Sequence, residues 1–217
     1  MDYERLYDFR FRDVDQSKRQ EVWNEIGLFI YRLLGEPLRV LDPSAGRCEF
    51  LNAIPAGERW SVDQVDNSMY RQPGIKGLTS DIFSAELPTD YFDGIFVSNF
   101  LEHLVSQEEV AMFLERMRVV CGPEGRIAIV GPNFRYCSRE YFDCADHTLA
   151  LTHVSVAEHL YAAGFSIDRV VPRFLPFSFR GSLPPSAAMT RWYLKLSAAW
   201  KVLGKQFLVL GRRSDGA

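Results

Sequence analysis

Carboxylates and a glycine follow short apolar segments of this sequence, at places where they could hold a ligand with hydroxyl groups. VLDPSAG carries Asp42 and Gly46, SVDQVD carries Asp63 and Asp66, and TSDIF carries Asp81. A glycine in a turn lets a ligand approach the backbone, and a carboxylate at the end of the next strand can accept both hydroxyls of a ribose. This order predicts a nucleoside site in which Asp63 or Asp66 holds the ribose.

The glycine content of the first turn limits which nucleotides could bind. Only Gly46 is present, so the turn lacks the GxGxxG fingerprint, and the chain contains no GxxxxGK[ST] motif. We therefore expect a nucleoside without phosphates. Taken alone, Asp42 could equally cap the following helix, and only the ordered series of acids favours a ligand site.

Three histidines are candidates for a general base. His103 in LEHL is the first, and His147 and His153 lie further along the chain. An imidazole titrates near neutral pH, which suits removal of a proton from a hydroxyl acceptor. Glu102 would orient His103 or bind substrate. A purely structural role for His103 is the alternative.

The segment DCADH is a candidate metal site. Asp143, Asp146 and His147 have a spacing that could hold a divalent ion. Short acidic clusters of this kind are usually solvated loop residues, so the sequence predicts no metal.

The elements that must position these residues alternate between strand and helix. Helical spacing of apolar residues predicts helices over residues 16–34 and 108–120, and Ser155 with Glu158 has the spacing of a capping box for another. This alternation indicates an α/β fold with a mostly parallel sheet, whose ligands bind beyond the carboxyl ends of the strands. Strands are expected at LRVLDP, WSVDQVD, GIKGLTSD, YFDGIFVSNF, GRIAIVGPN, SIDRVV and QFLVLG.

Composition narrows the class of protein and its partners. The 217 residues suit one domain, and a net charge of -3 gives no electrostatic footprint for nucleic acid. The four cysteines lack CxxC spacing, and no run reaches the roughly 18 apolar residues that span a bilayer. We expect a cytoplasmic protein with reduced thiols, no nucleic-acid partner and no transmembrane segment.

The segments VLDPSAG, SVDQVD, TSD, FDGIFVSNFLEHL and GPEGRIAIVGPN, in this order, resemble a class I S-adenosylmethionine-dependent methyltransferase over residues from about 37 to 212. The tail from RFLPFSFRGSLPP to QFLVLGR is similar to a bacterial subgroup found among glycan and small-molecule biosynthetic proteins. The resemblance implies S-adenosyl-L-methionine as cofactor. It also implies methyl transfer to an oxygen or nitrogen of a small-molecule acceptor, a sugar or a biosynthetic intermediate.

The resemblance also implies a fold and a domain plan. The fold is α/β: a Rossmann-like, seven-stranded, mostly parallel sheet with helices on both faces and an antiparallel last strand, whose N-terminal helix and long loops form a substrate cap. The plan is one domain, with a helical cap at 1–36, a cofactor-binding core at 37–171, a substrate-side insertion at 172–204, and the last strand and tail at 205–217. Other functions left open are a cyclase or rearrangement enzyme with this fold, and a non-catalytic partner subunit.

The resemblance assigns cofactor contacts position by position. The family's DxGxGxG turn corresponds to Asp42, Ser44, Gly46 and Cys48, and Gly46 is expected where a Cβ is not tolerated. Asp63 is preferred to Asp66 as the ribose ligand, and Asp81 matches the acid that accepts the adenine amino group. In YDFRF, Tyr7 would cover the cofactor and Arg10 would pair with its carboxylate. The remaining contacts are Ala45 in the first turn, Gln64 beside the ribose acid, Ile82 and Phe83 against the adenine ring, and Ser98 and Asn99 under the sulfonium.

The C-terminal part of the chain carries an apolar stripe with basic neighbours. A packing or homodimer face is favoured over a peripheral membrane contact. The aromatic loop 174–179 is expected to line the acceptor pocket, together with the loop after Pro132. The stripe is Met189, Trp192, Tyr193, Leu196, Trp200 and Leu203, and the basic residues are Arg191, Lys195, Lys201 and Lys205.

Overall fold

A seven-stranded sheet organises the molecule. The computed structural model describes residues 2–177 and 186–214. The strand order is β3-β2-β1-β4-β5-β7-β6, and β7 runs antiparallel to both of its neighbours while the pairs among β1 to β5 are parallel. The predicted fold is therefore confirmed, including the antiparallel last strand. The strands are β1 (Arg39–Asp42), β2 (Glu58–Asp63), β3 (Ile75–Thr79), β4 (Phe92–Ser98), β5 (Cys121–Pro132), β6 (Phe165–Val171) and β7 (Gln206–Arg213).

Eight α-helices surround the described part of the sheet. Asp15 caps the second helix by accepting from the backbone N–H groups of Ser17 and Lys18, and Gly35, at φ +88°, follows its end. The helices are α1 (Tyr3–Phe11), α2 (Gln16–Leu33), α3 (Glu49–Ala53), α4 (Gln107–Val120), α5 (Phe134–Cys137), α6 (His153–Ala162), α7 (Ala187–Lys195) and α8 (Ser197–Leu203). None of these helices has the length and apolar character needed to cross a membrane.

The capping box predicted for α6 was placed one turn too late. Thr152 is the N-cap, and Ser155, at the third helical position, completes the capping box by bonding back to the backbone N–H of Thr152. Thr152 and Ser155 both carry hydroxyls, so the pair Thr152 and Ser155 and the pair Ser155 and Glu158 both have the spacing of a capping box. The structure selects the pair that starts the helix at His153.

The core forms two apolar layers, one on each face of the sheet. Side chains alternate along a strand, so Val40 and Leu41 of β1 enter opposite layers. Helices α4 and α6 cover the layer that contains Leu41, and α2, α3, α7 and α8 cover the layer that contains Val40. Because both faces are covered, the ends of the strands are left for ligand binding.

The apolar stripe predicted for one C-terminal helix is divided between two helices in the structure, so that prediction is wrong in part. The chain departs from helical geometry at Leu196 (φ -106°, ψ 84°), which separates α7 from α8 and shifts the helical phase between them. Trp200 is buried and Tyr193 is partly buried, whereas Trp192 is 67% exposed. The other stripe residues that the structure leaves exposed are Met189, Leu196 and Leu203.

Candidate active site

A cavity of about 1020 Å³ opens at the carboxyl ends of β1, β2, β4 and β5. It brings together every residue that the sequence predicted for the cofactor and for catalysis. His153 is the exception among the weighed histidines: it is buried beside Asn133, with 2.9 Å between His153 Nδ1 and Asn133 Nδ2. The predicted residues that line the cavity are Tyr7, Arg10, Asp42, Ser44, Ala45, Gly46, Asp63, Gln64, Asp81, Ile82, Phe83, Ser98, Asn99, Glu102, His103 and His147.

The turn after β1 is shaped by one glycine. Gly46 has φ +50°, and its N–H donates to Asp63 Oδ2 at 2.7 Å. No described atom lies within 4 Å of the point where a Cβ on Gly46 would sit. A side chain at Gly46 would therefore meet no steric clash, but the positive φ of this residue would strain it. The backbone conformation favours glycine there, and the open space faces the cavity.

The missing third glycine of the turn is replaced by a residue in the same unusual conformation. Cys48 adopts φ +58°, although its side chain is fully buried. Its N–H donates to the carbonyl of Ala45 at 2.7 Å, which closes the turn. The turn thus keeps a left-handed residue at this position without glycine, at a modest cost in backbone energy.

The two candidate ribose acids occupy different surroundings. Asp63 is the last residue of β2 and accepts from the N–H groups of Gly46 and Val65. Burial raises its pKa, against the effect of those bonds. Asp66 lies beyond the strand and is exposed, and hydrogen bonds from the backbone and hydroxyl of Ser68 lower its pKa. Asp63 is therefore the acid fixed at the strand end.

Burial dominates the ionisation of Asp42. Its side chain lies at the end of β1, where it is 4% exposed, and it accepts one hydrogen bond, from the Ser44 N–H at 3.2 Å. Burial raises the pKa of Asp42 to about 8. The Ser44 hydroxyl is also buried and has no hydrogen-bond partner among the described residues. Two polar groups of the first turn are thus available to a ligand.

The third acid is held at the rim by its neighbours. Asp81 accepts from the Gln64 side chain at 2.7 Å and from the Phe83 N–H at 2.8 Å. Ile82 is buried between them. Asn99, which also lines the cavity, follows β4 with φ +49°, a conformation that asparagine tolerates better than most residues.

Three side chains form a compact group beyond the end of β4, which we term the Glu102 cluster: Glu102, His103 and His147. Glu102 and His103 belong to a 3-10 turn over residues 101–103. The N–H groups of Thr148 and Leu149 donate to the backbone carbonyl of Glu102, which draws the adjacent His147 into place. The rings of His103 and His147 have centroids 5.1 Å apart.

Burial sets the charge of the Glu102 cluster. Glu102 is 2% exposed, and burial raises its pKa to about 6. Burial, followed by the neighbouring His103, lowers the pKa of His147 to about 4. At neutral pH His147 is therefore uncharged.

Sequence reasoning missed the partner of Arg10. The Arg10 guanidinium binds both carboxylate oxygens of Asp146, which is not the solvated loop residue that was expected. Burial would raise the pKa of Asp146, but Arg10 and His103 outweigh it and lower that pKa. The two residues are 136 positions apart, so no local pattern could reveal the pair.

The predicted acceptor loop is present in part. Phe177 and Pro176 line the cavity, as do Glu140, Asp143 and Cys144 from the segment after Pro132. Phe174 and Leu175 of the predicted loop are instead buried in the core and do not line the cavity, and residues 178 and 179 lie outside the described residues.

Comparison with known proteins identifies the fold. No family model and no curated protein matches the chain. Among solved structures, an S-adenosylmethionine-dependent methyltransferase from Archaeoglobus fulgidus is 21% identical, with 98% of this chain and 100% of that chain covered and a TM-score of 0.70.

Two further structures show what this fold accommodates. The 1,6-didemethyltoxoflavin-N1-methyltransferase of Burkholderia thailandensis, with bound 1,6-didemethyltoxoflavin and S-adenosylhomocysteine, has a TM-score of 0.62 at 18% identity over 98% of this chain and 89% of that one. The cyclase SpnF has a TM-score of 0.62 at 13% identity, over 89% and 81%. The chain therefore has the Rossmann-like fold of class I S-adenosylmethionine-dependent methyltransferases.

Proposed function

We propose that the protein transfers a methyl group from S-adenosyl-L-methionine to an oxygen or nitrogen of a small-molecule acceptor. The observation that carries this proposal is the arrangement of acids along one wall of the cavity. Asp63 ends β2 against the Gly46 N–H, and Asp81 follows β3 at the same rim. Two carboxylates in this order suit a nucleoside, whose ribose and adenine present hydroxyl and amino donors.

The residues present fit the cofactor. Beside Gly46 there is open space where a Cβ would point, and the buried Ser44 hydroxyl has no hydrogen-bond partner among the described residues. Asp63 would hold the ribose, and Asp81 with the Ile82 and Phe83 side chains would hold the adenine. Tyr7 and Arg10 would cover the cofactor from α1, which requires Arg10 to share its guanidinium with Asp146.

The Glu102 cluster is the acceptor side of this proposal. When bound, the cofactor supplies a methyl group on a sulfonium, whose carbon–sulfur bonding pair stays on sulfur as the acceptor's lone pair bonds to the methyl carbon. A hydroxyl acceptor must also lose its proton, and His103 lines the cavity as the first candidate to receive it. Ser98, which ends β4, and Asn99, which follows it, also line the cavity.

The binding step is tested with S-adenosylhomocysteine and two matched variants. We expect Asp63→Ala to weaken binding roughly 10–100-fold, because a hydrogen bond to a charged group is worth about 1.5–3 kcal/mol. Asp66→Ala should leave the affinity nearly unchanged, since the Asp66 carboxylate bonds to Ser68. Isothermal titration calorimetry measures both, with circular dichroism as the check that each variant is folded.

Two results would contradict the proposal. If the folded parent protein does not bind S-adenosylhomocysteine, the cofactor assignment is wrong, and if only Asp66→Ala weakens binding, the ribose ligand is Asp66. Because a cyclase shares this fold, turnover must also be followed by mass spectrometry. An acceptor that is rearranged without gaining a methyl group would support that alternative chemistry.

A further inference from the structure

Three ligand atoms of the Glu102 cluster face one another at short range. A carboxylate oxygen of Glu102 and one ring nitrogen each of His103 and His147 all lie within 4.8 Å of one another. Glu102 Oε1 and His147 Nδ1 are buried and make no hydrogen bond of ordinary geometry to a described residue, although the backbone carbonyl of Tyr141 acts on the His147 ring and opposes the lowering of its pKa. Leaving such atoms unpaired in a protein interior is costly. A bound cation that accepts an electron pair from each of these two atoms would satisfy both of them.

We infer that the Glu102 cluster binds a divalent transition-metal ion, with Zn²⁺ as the first candidate. Two imidazoles and one carboxylate are a ligand set that Zn²⁺ accepts in catalytic sites, where a fourth position stays open. All three residues line the cavity. The open position would therefore face the space proposed for the acceptor.

The hydrogen bond on the far side of His103 prepares the ring for this role. His103 Nδ1 lies 2.9 Å from the backbone carbonyl oxygen of Asp146, and a carbonyl can only accept. The proton therefore sits on Nδ1, which leaves the lone pair of Nε2 free to bind an ion. Histidines that bind metals are commonly held by such a bond from their other nitrogen.

The charges nearby also allow a cation. The charge of Arg10 acts on Glu102, but the Arg10 guanidinium is paired with both oxygens of Asp146. The carboxylate of Glu102 has no comparable partner, since His103 Nε2 is 3.9 Å from Glu102 Oε1. A second possible set, Cys144, Asp146 and His147, is less suited because Asp146 is already engaged by Arg10.

The ion gives the acceptor side a specific chemistry, and this part of the inference rests on the proposed methyl transfer. A hydroxyl that occupies the open position is polarised by the ion and loses its proton to water more readily. The oxygen then has the electron pair that forms the new bond to carbon, and the ion keeps its oxidation state. In this form His103 acts as a ligand, and the ion replaces it as the group that activates the acceptor.

Cobalt provides the test, because Co²⁺ substitutes for Zn²⁺ and absorbs visible light. The full chain, without a histidine tag and freed of metal, is titrated with Co²⁺ and followed by absorption. We expect one ion per chain. Glu102→Gln, His103→Ala and His147→Ala should each weaken binding by about a hundredfold or more, since even outer partners of a metal ligand are worth roughly 10–100-fold in affinity.

The matched control is His159→Ala. His159 lies on α6 outside the cavity, with its Nε2 2.7 Å from Gln107 Oε1, so its loss should leave Co²⁺ binding unchanged. Glu102→Gln keeps the size of the side chain, which separates loss of a ligand from loss of the fold. Circular dichroism of each variant completes the comparison.

Several outcomes would overturn the inference. These are a folded parent chain that takes up no Co²⁺, equal loss of binding in His159→Ala, or a sulfur-to-cobalt charge-transfer band, which would assign the ion to the Cys144 set. Binding of S-adenosylhomocysteine is measured on the same samples. If it persists without Co²⁺ uptake, only the metal site is wrong, and if Co²⁺ binds without it, only the methyltransferase proposal is wrong.

Discussion

Asp42, at the end of β1, makes the stability of the protein depend on pH. Burial raises its pKa from 3.8 to about 8, so the fold favours the neutral carboxyl. The stabilising contribution of that neutral form is complete below about pH 3.8 and is lost as the pH rises through about 8. We expect Asp42→Asn, which cannot ionise, to become more stable relative to the parent as the pH rises from 4 to 8. Urea unfolding across this range measures the difference.

Asp66→Asn is the control with the opposite slope. Hydrogen bonds from Ser68 lower the pKa of Asp66, so its ionised form stabilises the fold above its ordinary pKa and this contribution disappears in acid. The Asp66 variant should therefore lose stability relative to the parent at neutral pH. If both variants change in the same direction with pH, burial is not what governs Asp42.

Among single residues, the acids and the asparagine that line the cavity could be placed there from the sequence because each ends a strand or follows one within a few positions. Asp42 and Asp63 end strands, and Asp81 and Asn99 follow them closely. The bond between the Gly46 N–H and Asp63 joins two of these predicted positions. The pair of Arg10 and Asp146 was not predictable, because nothing near either residue encodes the other.

At the element scale, α7 and α8 hold two tryptophans with opposite roles. Trp200 is 5% exposed and its ring packs against Phe29 and Phe174, with centroid distances of 5.9 and 5.2 Å. Trp192 is exposed beside Lys195. We expect Trp200→Ala to lower the free energy of unfolding by about 3–5 kcal/mol. Trp192→Ala should change it by no more than about 0.5 kcal/mol.

Urea denaturation followed by circular dichroism compares the two variants, because far-ultraviolet signals do not depend on either tryptophan alone. If both substitutions lowered the free energy of unfolding by similar amounts, Trp192 and Trp200 would lie on one continuous apolar stripe, as the sequence predicted, and the helix would not be interrupted at Leu196. A large effect of Trp192→Ala only at high protein concentration would instead reveal an interface between copies of the chain.

The elements differ in how well the sequence predicts them. Apolar runs bounded by turn residues are local signals, so all seven strands were found. The break between α7 and α8 was missed, because the apolar spacing from Met189 to Leu203 continues across Leu196 as if one helix ran through it. Packing of Trp200 against Phe29 and Phe174, from other parts of the chain, decides which side chains turn inward.

Across the whole molecule, an ion pair ties the N-terminal helix to a segment more than a hundred residues away in sequence. Arg10 on α1 binds Asp146 in the segment between β5 and α6. We expect Arg10→Gln to loosen α1 and to speed amide exchange over residues 3–11. The loss in free energy of unfolding should lie below the roughly 3–5 kcal/mol expected when a fully buried ion pair is broken, because the Arg10 side chain is 15% exposed.

Hydrogen exchange with mass spectrometry measures this effect. Arg5→Gln is the matched control, since Arg5 lies on the same helix and is exposed. Equal acceleration in both variants would indicate a general loss of helix stability. Unchanged exchange in Arg10→Gln would show that other contacts hold α1 against the cavity.

Strand β7 is synthesised after both of the strands that it pairs with. The strand follows β6 in sequence but lies between β5 and β6 in the sheet, so both of those strands are synthesised before the strand that joins them. Until then each exposes a row of unpaired backbone groups, which favours association with other chains. A chain ending at residue 205 should therefore aggregate in a sedimentation assay under conditions where the full chain does not. This part of the sheet can therefore form only after the eight residues of β7 have left the ribosome.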